Sequence, residues 1–285
     1  MSTPCLSRPH PSWQQNAAAG RLVGTTLYRS TCLPTPLYAP SFGVGSAMAL
    51  LVHIPYSPWS RRARLALDRL DLDLPRRAYV PVLSEPWLRA KLRRPAGRIT
   101  LPVLLRRGQA PLTDSWDIVA WGQEQAGTEV LLPPALVEQV RAWADLADRA
   151  MEAGRLRTAE RVLVDRDALT ASLPPPIRTM GPVGRWIGRD ATRRLIRKYP
   201  SSADAEPLRA LCEAIHRARA ETGDDTLLGT PTYADLAAAC ALAFVQPDAA
   251  SKVPRAAQGA WTEPELVQAH PDVLAWRDRV LRASP

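Results

Sequence analysis

The first sustained apolar pattern of the chain predicts a strand that leads directly into a helix. An apolar run extends from Leu50 to Ile54, and Ser57 and Pro58 follow it. Serine is a favoured N-cap, and proline is tolerated at the first helical position, where its missing N–H would be unpaired anyway. Because a helix N-terminus attracts anions, thiolates included, this junction is a candidate binding site.

The pattern continues as an alternation of strands and helices. A strand opened by a proline is predicted over residues 100–105, a turn over 107–110, and the start of a helix over 112–118. The complete order is β-α-β-α-β-β-α over roughly eighty residues, the size of a small domain. We therefore predict an α+β domain over residues 48–127.

After Gly127 and the pair Pro133-Pro134 the apolar period becomes helical, which predicts an all-helical domain over residues 128–285. The charged residues of its first long helix, Asp148 among them, are expected on the solvent face. The positions predicted to be buried in three successive helices are Leu136, Val140, Trp143, Ala147 and Met151; Val183, Ile187, Ala191 and Leu195; and Leu208, Leu211, Cys212 and Ile215.

The segment from Thr232 to Val245 is apolar almost all round, which indicates the central helix of a bundle. Thr232 and Asp235 have the spacing of a capping box, in which both side chains bind free N–H groups of the first turn. Replacing Asp235 with Ala should cost on the order of 1 kcal/mol or more. We interpret this pair as structural.

Composition narrows the class of protein. The chain has 285 residues, 46% of them hydrophobic, which suffices for one or two cores. Its longest apolar run, residues 236–245, is about half of what a membrane span needs, so we expect a soluble cytoplasmic protein with no membrane partner. The net charge of +9 favours anionic ligands weakly. The basic run over residues 185–198 is interpreted as a solvated helix face, and we expect no nucleic-acid partner.

The beginning of the chain has a different composition. Residues 1–47 contain no Asp or Glu and many prolines, so we expect a disordered leader or a translation start at Met48. The cysteines, Cys5, Cys32, Cys212 and Cys240, lack metal-ligand spacing. We expect no metal site and interpret them as small buried hydrophobic residues in a reducing compartment.

Four short motifs follow one another in a characteristic order and spacing. They are Ser57-Pro58 with Arg64 seven residues after the serine, Leu101-Pro102-Val103-Leu104, Asp114-Ser115, and the segment Gly229 to Leu236. Each is weak alone, but together they resemble the glutathione S-transferase superfamily, in particular bacterial serine-type members similar to the theta and zeta classes. The resemblance implies a thioredoxin-like N-terminal domain, an all-α C-terminal domain and a homodimer.

The resemblance implies a catalytic role for Ser57. In this family a hydroxyl at the first helix stabilises the thiolate of glutathione, whose free thiol has a pKa of about 8.5. Ser57 occupies the matching position, although a serine before proline can equally be a simple N-cap. Ser60 and Tyr56 are the second and third candidates for the hydroxyl donor. His53 is expected to be a strand residue with a satisfied side chain.

The resemblance also implies a binding site for glutathione. Leu101 would pair with the cysteinyl amide through its backbone, before a cis bond to Pro102; the alternative is a proline that opens an edge strand. Asp114 and Ser115 would hold the γ-glutamyl group, or they simply cap a helix. Arg98 is a candidate partner for the glycyl carboxylate.

The function implied is an enzyme that adds glutathione, as co-substrate, to small hydrophobic electrophiles. The second substrate would lie between the domains, against Trp59 and the helix with Trp143 and Met151, although core packing is the alternative for all three. Serine at position 57 argues against a thiol reductase, because no mixed disulfide can form there. Two other functions stay open: a non-catalytic ligand- or partner-binding protein on the same fold, and a glutathione-dependent isomerase.

Overall fold

The computed structural model describes residues 49–81, 83–199, 204–223 and 225–283. These residues belong to one compact unit. The predicted leader, with Cys5 and Cys32, lies outside the described residues. The described chain begins with a small mixed sheet and its helices and continues as a helical region, which confirms the predicted fold class.

The sheet has three strands in the order β2-β1-β3. They are β1, Ala49–His53; β2, Arg76–Ala78; and β3, Val103–Arg106. β2 is parallel to β1, and β3 is antiparallel to it. The predicted strand after the turn at Gly108 is wrong: only one bridge, between Leu104 and Leu112, forms there. The chain must reach the next helix at Ser115, which leaves no length for a longer ladder.

The helices have the following bounds: α1, Pro58–Arg69; α2, Glu85–Leu92; α3, Ser115–Ala126; α4, Val137–Val164; α5, Arg166–Ser172; α6, Pro175–Arg178; α7, Gly181–Lys198; α8, Glu206–Thr222; α9, Tyr233–Ala241; α10, Pro264–Ala269; and α11, Pro271–Arg282. Gly127 and Gly223 end α3 and α8 in the left-handed conformation, at φ 64° and 63°. Glycine adopts this conformation without steric cost, so both helix ends are readable from the sequence.

α9 is the centre of the helical region, as its apolar composition predicts. All of its residues are buried, and it packs against α1, α4 and α11. Thr232 and Asp235 form the predicted capping box at its start. α4 approaches closely at Gly154, where an added Cβ would lie 2.4 Å from the Cβ of Phe244. The core therefore extends from α1, next to the sheet, to α11.

The predicted buried stripe of α7 is wrong. Val183 and Leu195 are 55% and 37% exposed, and Ala191 is exposed as well. The helix instead packs through Gly184 and Gly188, its only fully buried residues. A Cβ on Gly188 would lie 2.4 Å from the side chain of Leu173. The two glycines let α7 approach its neighbours closely, but a hydrophobicity pattern does not identify glycines as a buried face.

No helix within the described ranges is long and apolar enough to cross a membrane.

Candidate functional site

Ser57 lies at the junction between β1 and α1, where the sequence predicts it. Its backbone is extended and its carbonyl accepts the first helical hydrogen bond from the Arg61 amide, at 2.9 Å. Pro58 occupies the first helical position. The Ser57 side chain makes no capping hydrogen bond and is only partly buried. Its hydroxyl therefore stands at a helix N-terminus without the structural task that a capping serine usually has.

The other two candidate hydroxyls have different surroundings. Ser60 is fully buried, and its Oγ accepts a hydrogen bond of 3.1 Å from the backbone N–H of Ile54. Tyr56 is 41% exposed, and its ring meets the edge of the Trp261 ring at 6.4 Å between centroids. The Ser60 hydrogen bond thus stabilises the turn between β1 and α1, whereas the Tyr56 ring packs against Trp261.

His53 is a strand residue, as predicted, but its side chain is not satisfied. The residue is 8% exposed, and its Nδ1 is buried without a hydrogen-bond partner. Burial, with the nearby charges of Arg64 and Arg76, lowers the pKa of His53 from 6.5 to about 4. The imidazole is therefore neutral at physiological pH.

The peptide bond between Leu101 and Pro102 is cis, which confirms the prediction for this bond. Val103 pairs with Val52 in the sheet, so Pro102 lies beside the end of β1 that leads to Ser57. Among the described residues, none forms a backbone hydrogen bond with Leu101. Its amide and carbonyl are free to bind an extended ligand next to the helix start.

Asp114 and Ser115 lie at the start of α3 but differ in their contacts. Asp114 is exposed and caps the helix, accepting a hydrogen bond of 2.8 Å from the Trp116 amide. Ser115 is 2% exposed, and its Oγ accepts hydrogen bonds from the Nε and Nη2 of Arg62, at 3.0 and 2.7 Å. Since its oxygen is occupied, Ser115 can offer a ligand only its hydroxyl hydrogen.

Arg62 connects this serine to the helical region, a role that the sequence did not indicate. Its Nη2 also donates to both carboxylate oxygens of Asp148, at 2.9 and 3.0 Å. Burial opposes the charge, but Tyr233 and Asp148 outweigh it, so the pKa of Arg62 is raised. Nη1 of Arg62 is buried without a hydrogen-bond partner. The hydroxyl of Tyr233 is buried next to Ser115, which lowers the pKa of this tyrosine, although burial raises it overall to about 12.

The assignment of Asp148 to a purely solvated face is wrong. Its side chain is 37% exposed, and besides Arg62 it accepts a hydrogen bond of 2.7 Å from the indole N–H of Trp59. Asp148 therefore ties α4 to two side chains of α1. Met151, the next candidate on α4, is fully buried and belongs to the core, and Trp143 packs against that core.

The start of α1 is bordered by aromatic and cationic side chains. Trp59 meets the ring of Phe244 edge-on at 6.1 Å, and the guanidinium of Arg155 lies 5.0 Å from the Trp59 ring centroid. The same guanidinium lies 3.9 Å from the ring of Tyr199, at the end of α7. Arg98, four residues before Pro102, lies 4.0 Å from that ring. The segment before the cis-proline, α1, α4 and the end of α7 therefore meet here.

Both described cysteines are buried, as predicted for small hydrophobic residues. Burial is the main cause that raises the pKa of Cys212 to about 12 and that of Cys240 to about 11. Neither thiol is ionised at neutral pH, so neither is a nucleophile. Within the described part of the chain, no cysteine can supply a thiolate to this site.

The described chain has a small sheet domain in which a cis-proline lies beside a helix that begins after a serine, and a helical region follows. This arrangement is typical of the thioredoxin-like class to which glutathione transferases belong. Residues 51–129 match the family model for the glutathione S-transferase N-terminal domain. This match confirms the predicted resemblance to the glutathione S-transferase superfamily over the sheet domain. A comparison with curated proteins finds no match.

Two of the following solved structures share the fold at low sequence identity, and the third is similar at a lower TM-score. A glutathione transferase from Phanerochaete chrysosporium is 16% identical, with a TM-score of 0.56 over 84% of this chain and 97% of that one. A beta-etherase from Sphingobium is 15% identical, with a TM-score of 0.50 over 82% and 94%. A glutathione S-transferase from Methylobacterium radiotolerans in complex with glutathione sulfonate is 22% identical, with a TM-score of 0.46 over 83% and 93%.

Proposed function

We propose that this protein is a serine-type glutathione transferase, which adds the thiolate of glutathione to small electrophilic substrates. The observation that carries the proposal is the state of Ser57. Its side chain stands at the N-terminus of α1, partly exposed and without a capping hydrogen bond. A donor hydroxyl and a helix N-terminus at one point together favour a bound thiolate.

The proposed transfer reaction requires mainly that the site stabilise the thiolate of glutathione. Glutathione's thiol, with a free pKa of about 8.5, loses its proton to solvent when the helix start and the Ser57 O–H favour the anion. The sulfur lone pair then forms a bond to the electrophilic carbon. In a substitution the leaving group departs with its electron pair, and in an addition the resulting carbanion takes a proton from water. The hydroxyl of Ser57 stays protonated throughout.

The remaining site residues would hold the peptide. The amide and carbonyl of Leu101 would pair with the cysteinyl unit as a short β-ladder. The carboxylate of Asp114 suits the ammonium group, and the hydroxyl hydrogen of Ser115 suits the γ-glutamyl carboxylate, with the N–H groups of the α3 start. Arg62 holds the Ser115 oxygen in place from behind. On the same resemblance we propose a cytoplasmic homodimer.

An ultraviolet difference titration of bound glutathione tests the proposal. With the full-length wild-type chain, the thiolate absorbance should develop well below pH 8.5, the value for the free thiol. Ser57→Ala should shift its midpoint back towards the free value by roughly one to two pH units, because one hydrogen bond to the charged form is lost. Ser60→Ala and Tyr56→Phe are the matched controls and should leave the midpoint in place.

The outcomes separate the transferase from a non-catalytic binding protein and test which hydroxyl is the donor. Glutathione binding without a thiolate band would replace the transferase by a non-catalytic binding protein. A midpoint that moves in Tyr56→Phe and not in Ser57→Ala would transfer the donor role to Tyr56. Absence of any glutathione binding would refute the assignment of ligand and function together.

A further inference from the structure

Tyr199 lies between two arginine side chains that come from different parts of the chain. The guanidinium carbons of Arg98 and Arg155 are 4.0 and 3.9 Å from the centroid of its ring. Lys198 adds a third positive charge, since its Nζ lies 5.3 Å from the centroid of the same ring and donates to the carbonyl of Ile99 at 3.3 Å.

The two arginines of this group have no salt-bridge partner in the described part of the chain. Neither Arg98 nor Arg155 lies within ion-pair distance of a carboxylate there. Arg155 is partly buried, and burial is the main cause that lowers the pKa of its guanidinium; Tyr199 and the carboxylate of Glu152 act in the opposite direction, and Arg98 adds to the lowering. Elsewhere in the chain, partly buried arginines such as Arg61 and Arg157 have carboxylate partners. Two guanidiniums held by an aromatic ring and left without a counter-ion form a site for an anion.

The position of this pair connects it to the proposed reaction. Arg155 also contacts Trp59, two residues after Ser57, and Arg98 precedes the segment of the cis-proline. A ligand bound by the pair would have the indole of Trp59 available to its apolar part, two residues from the proposed sulfur position at Ser57. The pair joins α4 and the end of α7 to the loop before β3; Arg98 is exposed and Arg155 is partly buried.

We propose that Arg98 and Arg155 select an electrophile that carries a carboxylate, such as an aromatic acid with a displaceable halide. This proposal rests on the proposed function. In the reaction, the glutathione thiolate forms a carbon–sulfur bond to the ring carbon that bears the halogen. The carbon–halogen bond breaks, halide leaves with the electron pair, and the thiol proton has already passed to solvent. The carboxylate stays ionised and only positions the ring.

Calorimetric binding of an aromatic acid tests the anion site without any turnover. The probes are para-nitrobenzoate and its neutral analogue para-nitrobenzamide, titrated into the full-length protein. The wild type should bind the acid more tightly than the amide, and Arg155→Gln and Arg98→Gln should each weaken acid binding about tenfold and leave amide binding unchanged. Arg155→Lys keeps the charge and should retain most of the affinity. Arg149→Gln removes an exposed arginine of the same helix and should change nothing.

Turnover extends the test to catalysis. The substrates are para-chloro-meta-nitrobenzoate and the matching amide, with each kcat/KM divided by the rate constant of the uncatalysed reaction. The wild type should favour the acid, and the arginine variants should lose that preference through KM. The Kd of glutathione should stay within about twofold in Arg155→Gln.

Three results would overturn the proposal. Equal binding of acid and amide by the wild type would remove the anion site. A loss of glutathione affinity in Arg98→Gln and Arg155→Gln, with acid binding unchanged, would assign these arginines to the glycyl carboxylate of glutathione instead. A loss of acid binding in Arg149→Gln as large as in Arg155→Gln would reduce the effect to net charge. Because the calorimetry contains no glutathione, the acid preference can stand even if the thiolate titration refutes the transferase.

Discussion

At the scale of single residues, Arg62 has the most unusual position in the molecule. It is 2% exposed, yet it keeps its charge because Ser115 and Asp148 accept its hydrogen bonds. A buried cation is tolerated only when it is paired in this way. The same pairing fixes the orientation of Ser115, so the geometry of the proposed γ-glutamyl site depends on a carboxylate of a distant helix.

Asp148→Asn should therefore lower the stability of the protein more than such a conservative substitution usually does. It removes the negative charge opposite the buried Arg62 and weakens the acceptor of the Trp59 indole. We expect a loss of about 2–3 kcal/mol in the free energy of unfolding, below the full cost of a buried pair because Asp148 is partly exposed. Denaturant titration measures the loss.

The matched control for this prediction is Asp145→Asn on the same helix. Asp145 pairs with Arg141, and both side chains are 50% exposed. Such a pair contributes under about 0.5 kcal/mol. Equal losses in the two variants would contradict the special role of Asp148.

The lowered pKa of His53 predicts how the free energy of unfolding changes with pH. Its pKa is about 4 in the folded protein and 6.5 when unfolded, so between these values the unfolded chain binds more protons. Stability should fall as the pH is lowered from 6.5 to about 4, by about 3 kcal/mol for this group in total, and should be fully present above 6.5.

His53→Gln tests this linkage by removing the titrating group. Unfolding free energies measured across this pH range should depend less steeply on pH in His53→Gln than in the wild type. His270→Gln, which removes a partly exposed imidazole, is the control. If His53→Gln kept the acid dependence of the wild type, other groups would have to account for it.

At the scale of secondary-structure elements, the start of α9 shows how a local motif acquires a tertiary role. Asp235 is 2% exposed, and its carboxylate accepts from the amides of Thr232 and Leu227, at 2.8 and 2.9 Å. The first bond belongs to the capping box that the spacing predicts. The second connects α9 to the loop before it and could not be read from any motif.

Because both amides are buried, Asp235→Ala should cost about 2–3 kcal/mol, more than the minimum expected from capping alone. Thermal or denaturant unfolding measures it. Asp165→Ala provides the comparison, since Asp165 caps α5 through the amides of Asp167 and Ala168 but is exposed. We expect about 1 kcal/mol there. A cost at Asp235 no larger than at Asp165 would show that water replaces the lost bonds.

The elements also differ in how well they could be predicted. The bounds of α1, α3, α8 and α9 follow from prolines, caps and glycines that act within a few residues. The orientation of α7 did not follow, because its close contacts are made by two glycines whose partners lie in other segments: Gly188 faces the side chain of Leu173, and Gly184 faces the backbone of Ile177. The short fourth strand failed for a similar reason, since its length is limited by where α3 has to begin.

At the scale of the whole molecule, α1 belongs to the sheet region and to the helical region at once. It packs against α3 and against α9, and its Trp59 and Arg62 both bind Asp148 of α4. Arg61 of the same helix pairs with Asp248 far along the chain. The two regions therefore share one packed boundary through this helix.

This shared boundary predicts a single cooperative unfolding transition for the whole chain. Guanidinium unfolding followed by far-ultraviolet circular dichroism and by tryptophan fluorescence should give coincident curves with the same midpoint. Asp148→Asn should lower the midpoint equally for both signals. Separate transitions for the two signals would show that the sheet and helical regions unfold independently in spite of this helix.

The sequence allowed us to predict the fold class, the helix start at Ser57 and the capping box of α9, because caps and turns depend on neighbouring residues. The cis bond at Pro102 was predicted from the family resemblance. The pairing of Arg62 with Asp148 could not be predicted, because the two residues lie 86 positions apart and a carboxylate beside other charged residues looks solvated. The arginine pair around Tyr199 also required the folded chain. Only the tertiary structure shows which charged side chains pair, because packing brings them together and excludes the water between them.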